Sequence, residues 1–136
     1  MKRADRSVSQ PIRFDLARES VALSRDLAAS VIKTSFGPHS AVDGYQIGRA
    51  RLDKPPPHDG ERHPDGDEIL YVVAGAVDVL LETEPAQRIA LEAGDGLIVP
   101  RGVWHRLEIV APAEILYATP GRSEARPRGG RAARRP

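Results

Sequence analysis

Between Asp43 and Thr119 the chain breaks into short apolar runs: YQIGRARL, EILYVVAG, AVDVLLE, QRIAL, GLIVP, VWHRLEIV and AEILYAT. Turn residues interrupt them roughly every 8–12 positions, the spacing of an all-β sandwich or barrel. The runs are rich in Val, Ile, Leu and Tyr, fit the length of strands and are too short for stable helices. Residues 41–120 are therefore expected to form one β-domain. With 40% hydrophobic residues a packed core is attainable, and 12 Gly with 12 Pro supply many turns without reaching a disordered composition.

The flanks read differently. In residues 1–40, Phe14, Leu16, Val21, Leu23 and Leu27 fit neither the strand nor the helix period, so DLARESVALSRDLAAS is a short helix or a strand with loops. The zone is expected to be an irregular N-terminal extension. Residues 121–136 carry six Arg against Glu124, which leaves 14 basic and 18 acidic side chains in residues 1–120. GRSEARPRGGRAARRP has no aromatic or β-branched residue, so it is expected to be a disordered basic C-terminal tail. Deleting it after Pro120 should then shift stability by no more than the ~0.5 kcal/mol of harmless surface changes. Such a tail can attract phosphate, but nucleic acid is not the expected partner.

Several function classes are excluded. The longest apolar-or-small run, Ile69 to Val77, is nine residues, against the ~18 or more that a membrane helix needs. No membrane association is expected. The charged N-terminus MKRADRSVSQPIRFDLARES develops no apolar stretch of the secretory kind, so a cytoplasmic location is the default expectation. With no Cys, any metal must be held by His and carboxylates. No P-loop, GxGxxG or GxSxG motif supports nucleotide or serine-hydrolase chemistry.

The turns place the chemistry. His63-Pro64-Asp65-Gly66-Asp67 should reverse the chain, since Pro presets its own φ and Gly accepts positive φ. A hairpin there sets His63 opposite Glu68, and the strand period puts Glu61 on the face of His63 while Arg62 points away. Further on, Gly94-Asp95-Gly96 and Pro100-Arg101-Gly102 are turns that bracket a short strand. In the strand that follows, His105, Leu107 and Ile109 share one face; the apolar face must be the inner one, so His105 points inward. A lone inward His would be read as a hydrogen-bonded core residue. It stops being lone if the first hairpin supplies partners. Trp104 faces the other way, as outer cover or a subunit contact, Tyr71 is read as outer packing, and His39 as an exposed loop residue.

These residues resemble the two motifs of the cupin superfamily. Glu61-Arg62-His63, four residues, Glu68, six residues and Gly75 occupy the ligand half of the first motif. Gly94, Pro100, Gly102 and His105 meet the second. The match runs from about Pro55 to Ile109. The sequence departs from the pattern at the family's first histidine, here Glu61, at its final asparagine, here Ile109, and at the opening glycine, which falls on Pro55. The resemblance implies a double-stranded β-helix, the jelly-roll barrel of cupins, and metal ligands at His63, Glu68 and His105. Glu61 enters by analogy of place, and His58, in Pro55-Pro56-Pro57-His58, is the substitute candidate.

Two imidazoles and one carboxylate suit iron(II) with open positions; a second carboxylate leans toward manganese or iron, with zinc or nickel as alternatives. Two Glu would also balance a dication and lower the cost of burying both. If only His63, Glu68 and His105 bind the metal, Glu61 is freed as a catalytic general base. The family includes dioxygenases, decarboxylases, isomerases and epimerases, which gives two readings. One is a metal-dependent enzyme, an oxygenase or isomerase acting on a small-molecule substrate; the other is a non-catalytic cupin that senses or stores a small ligand. Pairing of edge strands, common among small cupins, implies a homodimer.

Overall fold

The computed structural model describes residues 10–34 and 42–127, so His39 lies outside the described residues. Among these, nine strands form and no helix: β1 (Glu19–Ser24), β2 (Ala29–Lys33), β3 (Gly44–Leu52), β4 (His58–Arg62), β5 (Glu68–Leu81), β6 (Gln87–Glu92), β7 (Gly96–Val99), β8 (His105–Pro120) and β9 (Glu124–Pro127). Every pairing is antiparallel. One path runs β2-β1-β3-β8-β4-β9, and β5 joins it through β8 while pairing with β6 and β7. β8 is the seam of this curled sheet. Its C-terminal half pairs with β3, its first residue His105 with Glu61 of β4, and most of its length with β5. Glu61 and Leu81 thus flank His105 on opposite edges.

The strands follow the expected runs, with two fusions. EILYVVAG and AVDVLLE are one strand, β5, because Gly75 at φ 82° sits in a bulged stretch where the β5–β8 register shifts and does not end the strand. Likewise VWHRLEIV and AEILYAT merge into β8. Pro112 falls where the ladder steps from Ala74–Glu114 to Ala76–Ala111, a gap that tolerates its missing N–H. Alternation then builds the core: Leu70, Val72, Val77, Val79 and Leu81 from β5 meet Leu91, Val99, Ala113, Ile115 and Tyr117. Each buried Val or Leu contributes about 1.5–3 kcal/mol.

Three expectations are corrected. First, residues 64–67 do turn the chain, but β4 and β5 are not hydrogen-bonded to each other, so there is no hairpin; β4 pairs with β8 and β9. His63 is tied instead to the turn before β8, its carbonyl accepting from the Gly102 N–H at 3.0 Å, and Glu68 pairs with Val99 of β7. Second, of the two readings of DLARESVALSRDLAAS the strand with loops is the one that forms, but the extension is more regular than expected: it is the β1–β2 hairpin, docked by Val21↔Ile47 and its neighbours on β3. Its inward position is held by a polar residue, Ser20, fully buried and bonded to Thr34 at 2.8 Å, so the apolar alternation that would have shown a strand is broken. Third, residues 121–127 are ordered as β9 and the turn before it, held by polar contacts that a core-based reading of the tail does not see. Residues 128–136 lie outside the described residues.

Candidate metal centre

Four side chains converge where β4, β5 and β8 meet. Glu61 lies in β4, His63 just after it, Glu68 opens β5 and His105 opens β8. One ligand atom from each lies within 4.8 Å of the other three. His63, Glu68 and His105 are each 3% exposed, whereas Glu61 stands at the boundary with solvent at 32% side-chain exposure. The period argument places Glu61 and His63 together, with Arg62 turned outward to Glu124 at 2.7 Å.

Glu68 is the hub. Its Oε1 is 3.0 Å from His105 Nε2 and 3.2 Å from His63 Nε2, and its Oε2 accepts a hydrogen bond from Thr119 Oγ1 at 2.7 Å. Glu61 Oε2 approaches the same two nitrogens, at 3.8 Å from His63 and 3.9 Å from His105. Burial pushes the Glu68 carboxyl upward, but the hydrogen bond from His105 and the charge of the close His63 and His105 rings outweigh it and hold the group at about 2. For His105 burial works downward, and the Glu68 carboxylate outweighs it, so the ring binds its proton more tightly than usual. Glu68 is thus ionised at neutral pH, in the form that can ligate.

The other nitrogens orient the rings. His105 Nδ1 is 3.0 Å from the Val103 carbonyl, and His63 Nδ1 is 2.9 Å from Ser123 Oγ. Both leave Nε2 facing the carboxylates, the arrangement in which an outer partner fixes the tautomer of a metal-binding histidine. His63 Nε2 is buried and has no hydrogen-bond partner among the described residues, because its approach to Glu68 lacks hydrogen-bond direction. A buried imidazole nitrogen without a partner is costly. A cation held between the two rings and two carboxylates would satisfy it, so the residues present fit a divalent metal.

His58 is not one of the four. Its Nδ1 accepts from the Gly60 N–H at 3.2 Å, and its Nε2 lies 3.7 Å from Glu61 Oε1, the oxygen turned away from the cluster. Trp104 lies on the outer side, under Arg126 at 4.1 Å and Arg62 at 5.0 Å from the ring centre. Tyr71 is 42% exposed on the outward face of β5, as alternation predicts. Sequence reasoning missed Thr119 and Ser123. Thr119 sits two residues from buried Tyr117 on β8, a face relation that strand period could have shown. Ser123 lies in a segment with no apolar signal, and nothing in the sequence marks it.

Fold and site together define a small antiparallel β-barrel protein with a candidate metal centre of two His and two Glu. Residues 54–119 match the family model of the cupin domain, so the barrel of this chain is a cupin domain. It is 32% identical over 94 residues to Protein SchB of Streptomyces halstedii, covering 65% of this chain and 59% of that one. It is 35% identical over 49 residues to the uncharacterized protein YdbB of Bacillus subtilis (strain 168), covering 36% and 42%. The chain therefore spans roughly half the length of these curated relatives. Among solved structures, an oxalate decarboxylase superposes with a TM-score of 0.52 at 18% identity, over 60% of this chain and 24% of that one, which is a likeness of fold. No helix among the described residues is long and apolar enough to cross a membrane.

Proposed function

We propose that the protein is a metal-dependent cupin in which His63, Glu68 and His105 hold a divalent transition metal, iron(II) or manganese. Its substrate is a small anionic or carbonyl-containing metabolite, and its chemistry is of the oxygenase or isomerase type. The observation that carries this is the buried His63 Nε2, unpaired and aimed with His105 Nε2 at one ionised Glu68 oxygen. When bound, the metal would supply Lewis acidity or dioxygen activation at its open positions.

The chain's own residues supply the rest. Thr119 and His105 hydrogen-bond the two oxygens of Glu68 and His63 lies 3.2 Å from one of them, so that carboxylate is held ionised at the centre of the cluster. Glu61 is the more exposed partner. About a third exposed, with Oε2 toward the cluster and Oε1 toward His58, it can complete the ligand set or take a proton from a bound substrate. We also assign a homodimer, supported by the exposed apolar face of Ile69, Tyr71, Val73 and, cross-strand from Ile69, Ile98.

Elemental analysis after incubation with iron(II), manganese, nickel or zinc singly tests the metal. About one ion per chain is expected, and His105→Ala should lose it. Folded wild-type protein that stays metal-free with all four overturns the proposal. Metal retention without turnover on any small acid or carbonyl compound would favour the ligand-binding reading over the enzyme.

A further inference from the structure

The two histidines are oriented in different ways. His105 Nδ1 is held by the carbonyl of Val103, two residues upstream, so the segment that leads directly into β8 aims the ring. His63 depends on a distant segment: its Nδ1 meets Ser123 Oγ at 2.9 Å, sixty residues away in sequence. We infer that the strap from Gly121 to Pro127 is part of the metal centre, with Ser123 a positioning residue that turns the His63 ring so that Nε2 faces Glu61, Glu68 and His105. This rests on the metal reading proposed above.

The strap is built for that contact. On either side of the Ser123–His63 pair it is tied to the residues that flank His63. The Arg122 N–H donates to Asp65 Oδ2 at 3.0 Å, and Arg62 Nε donates to Glu124 Oε1 at 2.7 Å. Three successive strap residues thus read three positions around one turn, which fixes where the Ser123 hydroxyl lies. Farther along, Arg126 clamps the strap to the barrel. Its guanidinium forms two hydrogen bonds to Glu82, at 2.6 and 3.0 Å, and lies 4.1 Å over the Trp104 ring. Arg126 has 17% side-chain exposure, unusually low for an arginine. With a metal on Nε2 the ring proton would sit on Nδ1 and be donated to Ser123 Oγ, which holds the ring in its ligating orientation. Without Ser123 Oγ, Nδ1 has no side-chain partner among the described residues, and the ring is no longer held with Nε2 toward the carboxylates.

Three full-length variants test the assignment: Ser123→Ala, Ser123→Thr and Arg126→Ala. Two readouts apply, calorimetric affinity for manganese(II) or zinc(II) alone, and nitrogen NMR of the imidazole rings in metal-free protein. Ser123→Ala should weaken metal binding roughly 10–100-fold, the usual effect of losing an outer partner of a ligating histidine. It should also alter the nitrogen signals of His63 while those of His105 stay. Ser123→Thr, which keeps a hydroxyl, should restore both. Arg126→Ala, which touches neither ring, should weaken binding by loosening the strap. Unchanged affinity and unchanged His63 signals in Ser123→Ala overturn the inference, as does equal loss in the Ala and Thr variants. If Ser123→Ala does not fold, full affinity in Arg126→Ala overturns it. Wild-type protein that binds neither metal would defeat the metal reading, while the His63 signals still decide whether Ser123 positions the ring.

Discussion

Gly75→Ala is expected to be among the most damaging single-methyl additions to this barrel. Gly75 has a φ of 82°, which costs a residue with a Cβ roughly 1–2 kcal/mol. The Cβ would also stand 2.0 Å from the Pro112 carbonyl oxygen and 2.6 Å from Ala113 Cα, both backbone atoms of β8. Real Cβ contacts essentially never fall below 3.0 Å, so Pro112 must retreat by at least 1.0 Å. That retreat strains the β5–β8 seam, and overpacking of this kind costs a further ~1–3 kcal/mol. The sum, about 2–5 kcal/mol, is a large part of the ~5–15 kcal/mol that holds a domain together. Gly94→Ala is the matched control: φ is 97°, but no heavy atom lies within 4 Å of the added carbon, so only the backbone term remains. Urea unfolding followed by the fluorescence of the single Trp, Trp104, gives both values. Gly75→Ala should lie below Gly94→Ala by the steric part at unchanged slope. If the two midpoints coincide, the bulge does not pack as argued and the seam is softer than its geometry indicates.

Two more outcomes follow from the site and the strap. Glu61→Gln keeps the shape and removes the charge, so metal should bind more weakly, whereas His58→Ala, which removes only a neighbour of the outer Glu61 oxygen, should leave affinity nearly unchanged; retained metal with turnover lowered ~10²–10⁴-fold in Glu61→Gln would instead make Glu61 the general base. Ending the chain at Pro120 removes β9, the Arg126–Glu82 pair and the cation over Trp104, and should cost about 1–3 kcal/mol in thermal or urea unfolding; a loss within ~0.5 kcal/mol would return residues 121–127 to the harmless tail expected from composition.

The β-rich class of fold and the four candidate residues of the cluster were legible in the chain. Strand lengths and turn spacing are local properties, so the β-rich runs of residues 43–119 could be read directly, and alternation put Glu61 with His63 and turned His105 inward. The absence of Cys limited the donors to His and carboxylate. How these groups meet depends on contacts between strands far apart in the chain. His63 and Glu68 are joined by the Pro64–Asp67 turn, but His105 reaches them only through long-range pairing, of Glu61 with His105 itself and of Glu68 with Val99 on β7. Ser20 hid the β1–β2 hairpin because a buried hydroxyl breaks the apolar pattern while its hydrogen bond to Thr34 makes the burial tolerable. The strap escaped notice for the same reason. Its order comes from Arg–carboxylate pairs, a cation on an aromatic face and a serine on an imidazole. Each needs a partner distant in sequence, and polar partnership of that kind leaves no periodicity in the chain, so it is decided only when the barrel brings the two ends together.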